Sequence, residues 1–230
     1  MDINKCVEYA RTKHANQYRK QGTPYIDHPL AVMSALKSEG LDENYQIAGL
    51  FHDLLEDTDA TEEEILTLSN EKVLTAVKLV TKNAGYDHIE YINNILHNDI
   101  AKKVKAADRI YNLLDSIHFV KDCKNTQFIE NYMFNTSKYY YKKFSNKLDQ
   151  VYEGVLLILS SHLNDIYEYF IDSSTNHSPI WRMNKYSKSV DIRKHNKWIP
   201  EENSYWWAEI NDNILKISAS DYLNNLESED

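Results

Sequence analysis

From residue 3 to about residue 172, apolar side chains recur at helical spacing, with only short breaks between the periodic segments. Helices joined by short loops must bury their apolar stripes against one another, so this stretch predicts an all-α helical bundle. Residues 3–17 read as a first helix, with Val7, Ala10 and His14 on one side. The segment YRKQGTPYIDHP then interrupts the period, and its Gly22, Pro24 and Pro29 mark a structured loop. A second helix is expected from Pro29, because proline is tolerated in a first turn, and Gly40 is its expected stop. Asp42 and Glu43 open a third helix that carries His52-Asp53-Leu54-Leu55-Glu56-Asp57. Thr61 and Glu64 have capping-box spacing and start a fourth. Further helices are predicted over residues 72–81, 87–97, 100–118, 126–147 and 152–170.

The chain has 230 residues, 42% of them hydrophobic, which is enough for one sizeable core with a small appendage. Composition shifts at Asp172-Ser-Ser-Thr-Asn-His-Ser-Pro179, a polar stretch that reads as a boundary. Beyond it, IWRMNKYSKSVDIR, NKWIP and SYWWAEI predict two to four strands with a turn near Asn196. A short helix from Ser218 to Leu226 closes the chain. The expected organisation is a helical domain over residues 1–172 and a small β-containing extension over 178–230 that ends in a short helix. The extension is expected to pack on the helical domain or to serve as an oligomer contact, with Trp206-Trp207 in a core or interface.

Net charge narrows the partners. At −9 the chain repels phosphate backbones at long range, which argues against general nucleic-acid binding but leaves room for a small anionic substrate. Cys6 and Cys123 show no CxxC pattern and read as reduced thiols of a cytoplasmic protein. The N-terminus lacks the apolar core of a signal peptide. The longest strongly apolar run, Val155–Leu159, is far too short for a bilayer, so no membrane partner is expected.

The chemistry concentrates around His52 and Asp53. This pair lies in the apolar stretch IAGLFHDLL, so it is expected to face inward, where an imidazole and a carboxylate need a partner or a cation. Glu56 and Asp57 follow four residues after His52 and Asp53, which crowds carboxylates at a cost unless positive charge is present. His28 sits in PYIDHP between two prolines, and Asp108 is a polar residue in the apolar run VKAADRIYN. The set His28, His52, Asp53 and Asp108 would suit a divalent transition ion such as Mn²⁺, with positions left for water. Taken singly, His28 reads equally as a loop hydrogen bonder and Asp108 as a partner of Arg109 or Arg19.

The segments YRKQGTPYIDHPLAV, AGLFHDLLEDT, LVTK and VKAADRIYNLLDS, in this order, resemble the hydrolase domain of the RelA/SpoT family, nearest to its small stand-alone alarmone hydrolases. The resemblance covers roughly residues 3–165. It implies an all-α HD-domain fold, Mn²⁺ dependence, and cleavage of (p)ppGpp to GDP or GTP plus pyrophosphate. On the matching positions it implies His28, His52, Asp53 and Asp108 as metal ligands and Glu56 and Asp57 as the catalytic pair acting on the attacking water. It further implies Arg19 and Lys20 as nucleotide contacts and Asn112 as a contact to the sugar region. Tyr111 stands where the long bifunctional enzymes carry His, and Tyr111 and Asp115 match the small animal-type hydrolases.

Departures are equally specific. Leu114 replaces a usual Arg, Tyr139, Tyr140 and Tyr141 do not align uniquely with the family's later tyrosine, and everything after Asp172 lies outside the pattern. Lys105 and Lys82 are further candidates for charge at the phosphoryl group, although Lys102, Lys103 and Lys105 also read as a solvated helix face. His14, His88, His97 and His118 read as structural or surface residues. Two other functions stay open: the same metal site acting on another nucleotide such as NADPH, and an antitoxin-like module that neutralises an alarmone synthetase.

Overall fold

The computed structural model describes residues 1–20, 22–122, 126–172, 180–184, 190–194, 197–200 and 214–224. Cys123, Asn196, the Trp206-Trp207 pair and the side chain of His118 lie outside them. The chain divides into two compact units, Met1–Asn112 with Lys142–Leu148, and Leu113–Tyr141 with Asp149–Asp230. This partition does not follow the composition shift at residue 172.

The first unit is helical. Its elements are α1 (Ile3–Lys13), α2 (Asp27–Ser38), α3 (Glu43–Phe51), α4 (Leu54–Asp57), α5 (Glu62–Leu68), α6 (Glu71–Val80), α7 (His88–Leu96) and the first half of α8 (Asp99–Asp122). Local chemistry sets their starts. Asp2, Asp42, Asn70 and Asp87 each accept backbone N–H groups that the first helical turn leaves unpaired. Thr61 and Glu64 form the predicted capping box at α5. Gly40 follows α2 with φ of +74°, a left-handed conformation that suits glycine.

The packing of α2 on α3 creates the site. A Cβ on Gly49 would stand 2.5 Å from Leu36 Cδ1 and 3.2 Å from Val32 Cγ1, so a larger residue there would force the Leu36 side chain to move where these helices meet. The approach brings the start of α2, where His28 sits, against the end of α3, where His52 sits. Val32, Leu36, Ile47, Leu50, Phe51 and Leu54 are fully buried around it. Each such side chain contributes about 1.5–3 kcal/mol of burial free energy.

Two helices are not continuous as the periodicity predicts: the one expected over 126–147 stops at Tyr139 and resumes only at Asn146, and the other breaks in the first unit. The third helix stops at Phe51, His52 and Asp53 form a turn, and α4 is a separate short segment. His52 Nδ1 donates to the Gly49 carbonyl at 2.8 Å, an interaction outside the backbone ladder, at the point where the helix ends. The first helix is also shorter than predicted. It ends at Lys13, and His14 caps it.

The second unit holds the rest of α8, then α9 (Thr126–Tyr139), most of α10 (Asn146–Ile166) and a five-stranded antiparallel sheet. The strands are β1 (Tyr167–Asp172), β2 (Ile180–Asn184), β3 (Val190–Lys194), β4 (Lys197–Pro200) and β5 (Ile214–Ile217), in the order β4-β3-β2-β1-β5. Tyr167–Phe170, predicted as helix, instead open β1, which pairs with both β2 and β5. Its sequence YEYFID is β-branched and aromatic, and two partner strands satisfy its backbone. The terminal helix α11 (Ala219–Asn224) starts where predicted, with the Ser218 hydroxyl accepting from Asp221 N–H at 3.0 Å. Tyr169 stacks on Tyr222 at 4.5 Å, and both rings are fully buried. Among the described residues no helix is long and apolar enough to cross a membrane.

Candidate metal centre

His28 enters the first unit's core from the first turn of α2, His52 and Asp53 from the turn after α3, and Asp108 from the middle of α8. His28, His52 and Asp108 are at most 5% exposed. One ligand atom from each lies within 4.8 Å of the other two. His28 Nε2 is 3.1 Å from Asp108 Oδ1 and 3.9 Å from Asp53 Oδ2. His52 Nε2 is 3.0 Å from Asp53 Oδ2 and 3.6 Å from Asp108 Oδ1. The four residues that stand 28, 52, 53 and 108 in the chain therefore converge.

The tautomer of His52 follows from its partners. A carbonyl only accepts, so Nδ1 carries hydrogen toward Gly49, and Nε2 is the atom presented to the cluster. Despite its short distances, Nε2 makes no directed hydrogen bond and is fully buried. A buried polar atom without a directed partner is costly. Two imidazole nitrogens and two carboxylates facing one point suit a divalent ion, and the orphaned Nε2 is the atom such an ion would satisfy.

The electrostatics agree. Burial alone would lower the His52 pKa, but the carboxylates of Asp53 and Asp108 outweigh it and raise the imidazole to about 10. Burial pushes the Asp53 carboxyl up, and the charge of His52 overcomes this and holds it low. Asp108 is likewise held well below the usual carboxylate range: Lys105 first, then His28 and His52, overcome the burial cost. The two carboxylates thus favour positive charge at the centre.

The surrounding residues sort themselves. Arg19 donates to Asn112 Oδ1 at 3.0 Å, and Asn112 Nδ2 donates to Asp108 Oδ1 at 2.6 Å, so two expected substrate contacts are tied to the cluster. Lys20 is exposed. Glu56 is exposed, and its Oε2 accepts from the Lys82 backbone N–H at 3.0 Å. Asp57, also exposed, receives the Tyr25 hydroxyl at 2.9 Å. Lys105 departs from the solvated-face reading: it is buried and pairs with Asp108 Oδ2 at 2.9 Å. Burial lowers the Lys82 ammonium pKa, and the nearby Lys105 lowers it further. The Tyr111 ring meets His28 edge-on at 6.3 Å. In the second unit Tyr140 is buried, Tyr141 donates to Glu153 Oε1, Tyr139 is half-buried and Leu114 is exposed.

Tyr25 is the residue that sequence reading missed. Its hydroxyl lies 2.7 Å from Asp53 Oδ2 as well as 2.9 Å from Asp57 Oδ2. The only signal for it in the sequence is its place three residues before His28, in the same proline-bounded loop.

This chain is similar to known proteins in sequence and in fold. The HD domain family's sequence model matches residues 6–151. A Danio rerio protein named guanosine-3′,5′-bis(diphosphate) 3′-pyrophosphohydrolase is 34% identical over 137 residues, 55% of this chain and 75% of its own length. An Aquifex aeolicus protein of the same activity name is 48% identical over 81 residues, 35% of this chain but only 12% of its own length. The solved structure of a metazoan SpoT orthologue, described as hydrolysing ppGpp, superposes with a TM-score of 0.54 at 26% identity, covering 67% of this chain and 93% of that one. The match to the family model spans the helices that carry all four converging residues, and on that ground this chain belongs to the HD domain family.

Proposed function

We propose that this protein is a Mn²⁺-dependent hydrolase that removes the 3′-pyrophosphate of (p)ppGpp, giving GDP or GTP and pyrophosphate. The observation that carries the reading is the orphaned, fully buried His52 Nε2, which faces two carboxylates and a second imidazole. Relatives named for this activity supply the substrate. His28, His52, Asp53 and Asp108 would hold the ion. When bound, it lowers the pKa of a water and draws charge from phosphoryl oxygens.

The chain's own groups do the rest. Glu56, oriented by the Lys82 N–H, accepts the proton of the attacking water. Water oxygen bonds to the phosphorus on the 3′ oxygen, the 3′ O–P bond breaks, and the departing 3′ oxygen takes a proton from solvent to become the 3′ hydroxyl. Asp57 sits one residue on and passes the proton toward solvent. Arg19, Lys20 and Asn112 orient the nucleotide, and Lys82 and Lys105 offset charge that develops on the phosphoryl oxygens. The three-residue link from Arg19 through Asn112 to Asp108 supports this, because it couples the substrate-facing cation to a metal ligand.

The test is Mn²⁺-supplemented hydrolysis of ppGpp beside NADPH, with product analysis. Pyrophosphate release from ppGpp, reduced about 10²–10⁴-fold in Glu56→Ala, is expected. Intact ppGpp with cleaved NADPH would move the same centre to a different nucleotide. Protection of cells from an alarmone synthetase that survives Asp53→Ala would instead identify a binding antitoxin.

A further inference from the structure

We infer that Tyr25 is a positioning residue that links occupation of the cation site to the carboxylate of Asp57. The inference rests on the proposed metal reading of His28, His52, Asp53 and Asp108 and adds a residue to it.

The geometry is specific at one atom. Asp53 Oδ2 is the oxygen that faces both imidazoles, at 3.0 Å from His52 Nε2 and 3.9 Å from His28 Nε2. The same oxygen is 2.7 Å from the Tyr25 hydroxyl. Asp57 Oδ2 contacts that hydroxyl at 2.9 Å from the other side. A phenol carries one hydrogen, and both neighbours are acceptors, so Tyr25 donates to one carboxylate at a time.

The phenol is well fixed for this task. Its ring stacks on His14 at 4.9 Å and meets His28 edge-on at 6.3 Å. The Arg19 guanidinium lies over the ring at 5.9 Å. Its backbone N–H donates to the Gln17 carbonyl at 2.9 Å, and Gln17 Nε2 donates to the Asp57 carbonyl at 2.6 Å. Loop and turn are thus latched on both sides of the hydroxyl.

A cation on Asp53 Oδ2 draws electron density from that oxygen and makes it the poorer acceptor. The hydroxyl hydrogen then turns to Asp57. Cation binding and the hydrogen bond at Asp57 are therefore linked, and linkage is reciprocal. Asp57 carries the charge that takes the hydrogen away when the ion arrives. The hydroxyl oxygen remains as a stop that keeps Asp53 Oδ2 directed at the imidazoles.

The test is a double-mutant cycle on Mn²⁺ affinity, measured by calorimetric titration of the full chain, with electron paramagnetic resonance of the bound ion and thermal melting alongside. Tyr25→Phe is expected to weaken Mn²⁺ binding about 10-fold or more and to alter the resonance line shape. Asp57→Asn, which leaves the hydroxyl donating to Asp53, is expected to weaken binding at least about fivefold. The double variant is expected to bind no more weakly than Tyr25→Phe, because Asp57 acts on the site only through the Tyr25 hydroxyl. Additive losses, or a Tyr25→Phe affinity within twofold of wild type, overturn the inference. Should Tyr25→Phe not fold, Asp57→Asn decides alone: an affinity within twofold of wild type overturns the link. A wild-type chain that takes up no Mn²⁺ sinks the metal reading itself, whereas tight wild-type binding with an unchanged Tyr25→Phe sinks this inference only.

Discussion

Each of the two units buries charge, and they do so to opposite ends. In the second unit Glu130 is fully buried, with one oxygen accepting the Tyr222 hydroxyl and the other 3.5 Å from Arg182 Nη1. Arg182 donates from Nε to Asp191 Oδ2 at 2.9 Å, and its guanidinium lies 4.4 Å from the Tyr167 ring centre. Every charge there has its counter-charge within the protein. In the first unit Asp53, Asp108 and two imidazoles face one another, and the buried His52 Nε2 is left without a directed bond. A buried ionic cluster that closes on itself holds elements together, and one that stays open awaits a ligand.

The sharpest way to break this contrast is Asp53→Ala. It is expected to lower ppGpp turnover by on the order of 10³-fold or more, equal to about 4 kcal/mol of barrier, while the melting transition stays near wild type. If the fold were lost with the activity, the first cluster would be structural after all. Glu130→Ala should do the reverse. Leaving Arg182 with Asp191 as its remaining carboxylate, and the Tyr222 hydroxyl without its acceptor, is expected to cost about 3–5 kcal/mol, read by urea unfolding, and replacing Glu130 and Arg182 together with apolar residues of similar volume should recover most of it. A Glu130→Ala chain as stable as wild type would show that the second cluster is not holding the unit together.

The smallest effect is local and sharpens the comparison by its size. Thr61→Ala removes the α5 cap and is expected to cost about 1 kcal/mol by the same unfolding measurement. The Thr61 backbone N–H, followed by Tyr9, lowers the Glu64 carboxyl from 4.5 to about 2. A depressed carboxyl contributes stability above its unfolded value, and that contribution is lost as pH falls from 4.5 through about 2. Acid melting curves of Glu64→Gln should therefore fall less steeply over that window than those of wild type.

These capping effects were legible in the sequence because they depend on residues three positions apart. The same holds for Gly40 after α2 and for Ser218 before α11. The four converging residues were legible as a set, from polar side chains in apolar or proline-bounded runs and from the resemblance of their motifs to the RelA/SpoT family; taken singly, His28 and Asp108 read as ordinary hydrogen-bonding residues. Other features were not legible. Tyr167–Phe170 fit a helix or a strand by pattern, and two neighbouring strands decided for the sheet. The third helix ends before His52, where the His52 side chain bonds the Gly49 carbonyl, which no period records. Lys105 looked like part of a basic surface until α8 turned it onto Asp108.

By itself the sequence determined the helical class of the first 166 residues, most helix starts, and which residue types were available for a cation. These follow from apolar spacing and from side chains that bond their own nearby backbone. Only the tertiary structure decided that Tyr25 reaches Asp53 and Asp57, that Asn112 joins Arg19 to Asp108, and that His52 Nε2 is left without a bond. Those facts depend on contacts between segments far apart in the chain, and the way surfaces meet in space is a property that no run of neighbouring residues encodes.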